Sequence, residues 1–147
     1  MELTSPEFKN GGVIPDRFSQ YRDNHSPPLT FRDVPESAGA LALIVDDPDA
    51  KPHRFTHWVA FNIAPDAGGF GENRVPENVR HGRNDLGQAA YAGPKPPDGE
   101  HRYFFHAYAL DRPLDLPAGA SREQIEDAMV GHVVDEAELM GRFAPPK

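Results

Sequence analysis

Leu41-Ala42-Leu43-Ile44-Val45 is a short apolar run with branched side chains at its end, and Asp46-Asp47-Pro48-Asp49-Ala50 cuts it off. The run is too short for a helix and is bounded by turn residues, so it predicts a buried strand that ends on Asp47. An Asp before Pro is favoured in turns, where its carboxylate bonds its own backbone, so the turn alone accounts for these residue types. Working outward, His57-Trp58-Val59-Ala60-Phe61-Asn62-Ile63 reads as a second strand and Tyr103-Phe104-Phe105-His106-Ala107-Tyr108-Ala109-Leu110 as a third. Asp47 closes the first, His57 opens the second and His101 opens the third. A rigid sheet can present polar groups at such margins to a cavity.

In a strand that starts at His101, residues 101, 103 and 105 share a face, and His101 and Tyr103 stand ~6.6 Å apart. One small ligand could touch both, because an imidazole and a phenol each donate hydrogen bonds to phosphate oxygens. For any single His, a strand residue satisfied by neighbouring backbone is the favoured account over ligand binding. Between the second and third strands, Tyr91-Ala92-Gly93-Pro94-Lys95-Pro96-Pro97-Asp98-Gly99 is too rich in proline for helix or central strand. It reads as a loop of pre-set shape, either a rigid surface connection or a rim whose remaining amides, such as that of Lys95, point at an oxyanion.

The chain has 147 residues, the usual size of one domain, and residues 1–147 are expected to form one. Its 16 Pro and 13 Gly are scattered as turns. The absence of Cys excludes disulfides, thiolate metal sites and a cysteine nucleophile. Twenty-three acidic against fifteen basic residues give a net charge of -8, which argues against sequence-independent attraction to nucleic acid or an anionic membrane. The start, Met1-Glu2-Leu3-Thr4-Ser5-Pro6, lacks the features of a secretory signal, and no apolar run approaches the ~20 residues of a spanning helix. The expectation is a soluble, cytoplasmic protein with no transmembrane segment, no nucleic-acid partner and no cofactor.

Near the C-terminus Ser121 and Gln124 form a capping box, followed by Ile125, Ala128, Met129, His132, Val133, Ala137 and Leu139 at mixed three- and four-residue spacings. This predicts a helix over about residues 121–140, with Gly141 as its stop signal and His132 a packed or capped structural residue. Glu123, Glu126, Asp127, Asp135, Glu136 and Glu138 would be its solvated face. Several strands plus one capped helix make a β-rich α+β fold.

Taken together and in order, these segments resemble the bacterial, Raf-kinase-inhibitor-like branch of the phosphatidylethanolamine-binding proteins. Asp47-Pro48-Asp49-Ala50 is similar to that family's Asp-Pro-Asp-Ala-Pro box and His57-Trp58 to its His-Trp. Gly93-Pro94-Lys95-Pro96-Pro97, with Gly99 and His101-Arg102-Tyr103, is similar to its second box. Supporting matches are Gly11-Gly12-Val13-Ile14-Pro15, Ser26-Pro27-Pro28-Leu29, Tyr108-Ala109-Leu110-Asp111 and Gly131-His132-Val133, so the resemblance covers about residues 8–145. It implies a large central β-sheet flanked by a smaller sheet and short helices, with a small anion-binding cavity at one end of the strands. By position it implies that Asp47, His57, His101 and Tyr103 line the cavity, that Pro96 and Pro97 form its rim, and that Lys95 and Trp58 also contribute to ligand binding. Asp47 would orient His57 or His101 and hold the imidazole protonated. The chain departs from the pattern at Lys51, which displaces the closing proline to Pro52, and at Lys95, where bacterial relatives often carry cysteine.

The function so implied is non-catalytic binding of a phosphate-like anion or phospholipid head group, with modulation of a protein partner such as a kinase or protease as an extension. Relatives are often dimeric, which makes a homodimer an expectation of the resemblance alone. The alternative is a metal-dependent hydrolase using Asp47, His57 and His101, with Asp49 and His53 as further candidates. His53 and His57 have helical chelate spacing, but an extended strand would separate them by ~13 Å, too far for one ion. A serine hydrolase lacks its Gly-x-Ser-x-Gly elbow.

Overall fold

The computed structural model describes residues 1–147. Strand β3 (Ala40–Asp47) is buried along its whole length, as expected of a strand covered on both faces. It lies between β4 (Phe55–Ile63) and β7 (His101–Leu110), and all neighbouring strands of its sheet run antiparallel. The order of this five-stranded sheet is β6-β4-β3-β7-β8, where β6 is Arg80–His81 and β8 is Val133–Phe143. A second, antiparallel sheet has the order β1-β2-β5, from Glu2–Thr4, Leu29–Arg32 and Gly69–Phe70.

Alternation along β3 divides the core in two. Leu41, Leu43 and Val45 join Leu3, Leu29, Phe31 and Phe70 of the small sheet in the larger core. Ala42 and Ile44 face the other way, against Leu114, Ala120 and the helix α1 (Arg122–Met129). Eight residues are too few for an isolated helix. Ile125 and Met129 anchor it by burial, each contributing about 1.5–3 kcal/mol. The capping box is present as the sequence predicts, with Gln124 N–H donating to Ser121 Oγ and Ser121 N–H to Gln124 Oε1.

The helix is much shorter than the expected 121–140. It ends at Met129, Gly131 adopts φ 81°, and the chain turns back into β8, the partner of β7 from Leu110↔Val133 to His101↔Phe143. The stop signal is thus Gly131, whose positive φ suits a residue without Cβ. Gly141 instead lies inside β8, where a Cβ would stand 2.5 Å from Ile14 Cγ1 and 2.9 Å from Phe8 Cε2. His132 sits in the turn, Nδ1 3.0 Å from Asp111 Oδ1. Asp135, Glu136 and Glu138 belong to β8 rather than to a helical face, and Asp135 accepts from the terminal amine of Met1 at 2.6 Å. The outer edge of β8 is closed near its end by residues 11–14, through Gly11 N–H to Met140 O, Arg142 N–H to Gly12 O and Ile14 N–H to Arg142 O. No helix is long and apolar enough to cross a membrane.

Candidate functional site

Antiparallel pairing brings the end of β3 beside the starts of β4 and β7. Asp47 is opposite Phe55, and Asp46 is opposite Phe104. At this end of the sheet lies a cavity of about 390 Å³ whose lining includes Asp47, His57, His101 and Tyr103. Lys95, Pro96 and Pro97 line it from the proline-rich loop, and Lys51 from the turn after β3.

Asp47 is 3% exposed and both its oxygens are engaged. Oδ1 accepts from Asp49 N–H at 2.8 Å, the local turn bond that the Asp-Pro-Asp sequence favours. Oδ2 stands 2.6 Å from His101 Nδ1. A carboxylate can only accept, so His101 Nδ1 carries the proton and Nε2 is the ring's other polar atom. Asp47 therefore orients His101, not His57. Asp49 does not join them, because its carboxylate takes the backbone and guanidinium of Arg102 at 2.9 to 3.0 Å. Those Arg102 bonds hold the Asp49 carboxyl down to about 2 and pin the turn to the start of β7.

His57 is placed by a β-bulge. Val45 pairs with Trp58 but Asp46 pairs with Thr56, so His57 is the extra residue. Two consecutive side chains consequently face the same side of the sheet. The His57 ring packs at the cavity against Phe55 (4.7 Å between centroids) and Tyr103 (5.3 Å). Trp58 does not reach the cavity, contrary to the expectation. It is fully buried in the larger core against Tyr91 and Phe70, so its indole packs beneath the site.

His57 Nδ1 lies 2.9 Å from the carbonyl oxygen of Ala92 and must donate to it. Burial lowers the pKa of His57, and the Ala92 carbonyl, Asp47, the Gly93 carbonyl and Asp85 oppose that shift without overcoming it. A neutral ring with its proton on Nδ1 leaves a lone pair on Nε2. Tyr103 is 1% exposed, and its Oη makes no well-formed hydrogen bond, with the Asp47 carboxylate as a nearby acceptor. Burial first, and then the nearby Asp47 carboxylate, keep the phenol far above its usual pKa.

The loop from Tyr91 to Gly99 is tied down from one side by residues 18–24. Tyr91 Oη donates to Phe18 O at 2.7 Å, Gly93 N–H to Asn24 Oδ1 at 2.7 Å, Gln20 N–H to Pro94 O at 3.0 Å, and Tyr21 Oη to Pro96 O. Gly93 is required by close approach, since a Cβ would collide with the Phe18 carbonyl oxygen. Pro96 is buried, whereas Pro97, Lys95 and Lys51 are exposed at the mouth. Gln20, Phe55, Leu86, Ala50 and Asp98 complete the lining. Of these, Phe55 was within reach of strand periodicity, two residues from His57. Gln20 and Leu86 come from distant loops that carry no sequence signal.

Asp46 serves the opposite face of the sheet. Arg122 Nη1 donates to its Oδ2 at 2.8 Å and to Thr56 Oγ1 at 3.2 Å, and His106 Nε2 lies 3.4 Å from Oδ1. Burial pushes the Asp46 carboxyl up, but His106 and Arg122 outweigh it and the net shift is downward. Nowhere do three His, Asp or Glu side chains converge in a metal-binding arrangement.

The fold is shared with solved structures. A phosphatidylethanolamine-binding protein homologue from Chlamydia trachomatis superimposes with a TM-score of 0.95 at 40% identity, covering 99% of this chain and 97% of that one. The E. coli protein YbcL gives 0.91 at 26% identity, covering 99% and 98%. Among sequences, a UPF0098 protein of Methanothermobacter thermautotrophicus is 49% identical over 148 residues, covering 97% of this chain and 98% of the relative. The sequence profile of the phosphatidylethanolamine-binding protein family matches residues 4–144, and the chain belongs to that family. The expected architecture of a large sheet flanked by a smaller one is borne out, with a shorter helix and one more long strand than the sequence suggested.

Proposed function

We propose that this chain is a non-catalytic binding protein whose cavity holds a small phosphate-like anion, free or as the head group of a phospholipid. The observation that carries this reading is Tyr103 Oη, a buried hydroxyl without a protein partner on a residue that lines the cavity beside an oriented His101. An unpartnered buried hydroxyl costs about 1–3 kcal/mol, and a ligand oxygen would relieve that cost. His101 donates from Nε2 whenever its ring carries both protons, and Lys51 and Lys95 add local positive charge to a chain whose net charge is -8. A cavity of about 390 Å³ is of the size that takes small ligands. The hydrolase reading has no supporting observation, because both Asp47 oxygens are already engaged and no three-ligand cluster exists.

Calorimetric titration of the protein, prepared without phosphate, with inorganic phosphate and separately with a dispersed short-chain phospholipid tests the proposal. Saturable binding of either at one site per chain is the expected outcome, and the stronger of the two distinguishes the sources. Absence of binding to both would remove the reading.

A further inference from the structure

The cavity offers its ligand unlike groups. Tyr103 presents an O–H that makes no well-formed hydrogen bond within the protein, a donor for which the nearby Asp47 carboxylate competes. His57 presents the opposite, because its Nδ1 proton is committed to the Ala92 carbonyl at 2.9 Å and Nε2 has no protein partner. We infer that the site selects an oxyanion that still carries one proton, such as the monoanion of a phosphate monoester, over a fully ionised one such as sulfate, with His57 Nε2 accepting the hydrogen bond of the P–OH. This inference rests on the anion-binding reading above and specifies the protonation state that the site takes.

The charges around the His57 ring set this preference. Asp47 reaches it from the end of β3 and Asp85 from the loop after β6, both negative. From β7, the neutral phenol of Tyr103 packs directly on the ring and His101 lines the same cavity. Lys51, Lys95 and the carboxylate of Asp98 stand at the mouth, exposed to solvent. Burial keeps the ring from taking a second proton, and the two carboxylates do not reverse that. A dianion would face the negative charge of Asp47 and direct a lone pair at the lone pair of Nε2. A monoanion with a P–OH meets less repulsion and turns the second conflict into a hydrogen bond. A site built to pair with a hydroxyl rejects an analogue that lacks it more strongly than a site of matching shape alone, because its own polar group is then left unpaired.

The test uses the unmodified protein with two isosteric probes, phenyl phosphate and phenyl sulfate, near pH 6, where the monoester's second proton is about half retained. Phenyl phosphate is expected to bind at least about tenfold more tightly than phenyl sulfate. In ¹⁵N spectra of the imidazoles, His57 is expected to keep Nδ1 protonated and Nε2 bare, both free and loaded with phenyl phosphate. Equal affinities for the two probes, or an Nε2 that gains a proton on loading, would overturn the inference while leaving anion binding intact. Failure of both probes to bind would overturn the inference together with the reading beneath it.

Discussion

His101 Nδ1 stands 2.6 Å from Asp47 Oδ2, joining the first residue of β7 to the last residue of β3. This contact explains how a carboxylate can lie beside the proposed anion site. Asp47 acts on its neighbour, fixing the ring so that Nε2 is the atom left for the ligand. Asp47→Asn keeps an acceptor for the Asp49 amide but weakens this hold. Affinity for inorganic phosphate is expected to fall by about tenfold, the loss of one charge-assisted hydrogen bond. A rise in affinity, measured by calorimetry, would show that the carboxylate only repels.

Tyr103→Phe separates binding from stability. The hydroxyl makes no well-formed hydrogen bond in the protein, so its removal is expected to leave the urea midpoint unchanged or to stabilise the fold by about 1 kcal/mol. The same substitution should weaken phosphate binding by about tenfold. A clear loss of stability would mean that the hydroxyl is satisfied within the protein, and would count against its role as a ligand donor.

Arg122→Met tests the pair behind the sheet. It leaves the Asp46 carboxylate, 3% exposed, with only His106 at 3.4 Å and Arg54 at 3.9 Å. Destabilisation of about 3 kcal/mol is expected, the low end for breaking a buried pair because these two neighbours remain. The folded-state pKa of Asp46 lies below its unfolded value of about 3.9. Its contribution is therefore present above about pH 4 and is lost as pH falls toward the folded value. Urea titrations at pH 6 and pH 3 should show a smaller acid-induced loss in the variant than in the parent protein. Identical pH dependence would remove Arg122 from the account.

Gly93→Ala probes the loop that holds His57. The new Cβ would strike the Phe18 carbonyl oxygen and lie 2.9 Å from Asn24 Oδ1, the acceptor of the Gly93 amide. A cost of about 1–3 kcal/mol is expected from overpacking. The neighbouring Ala92 carbonyl should shift with the loop, and the ¹⁵N resonance of His57 Nδ1 should move with it. An unchanged resonance alongside unchanged stability would contradict this coupling.

The three inner strands were legible because each carries a bounded apolar run; Asp47 and His101 are the terminal residues of β3 and β7, whereas β4 opens at Phe55, two residues before His57. The long edge strand β8 was not legible. After a correctly read capping box, the three- and four-residue spacing continued past Gly131, although Ala137, Leu139, Gly141 and Phe143 repeat every second residue. The glycine nearer the box was the true end, and the farther one is small because Ile14 and Phe8 press against it. Trp58 was misplaced because the bulge that sets it depends on pairing with β3, and pairing is not written in either strand alone. Gln20, Leu86 and Arg122 reach their positions through contacts between distant parts of the chain, which no local pattern encodes.

The extra residue at position 57 has a consequence for how this protein can change. It assigns one letter to the hollow and the very next to the packed interior, so the side chain at one can vary while the indole below stays untouched. Losing that residue by deletion would restore plain alternation, with Thr56 and Phe55 keeping Asp46 and Asp47 as partners, and would take the imidazole out of the hollow altogether. Shortening here should thus spare the ladder and cost the hollow its ring.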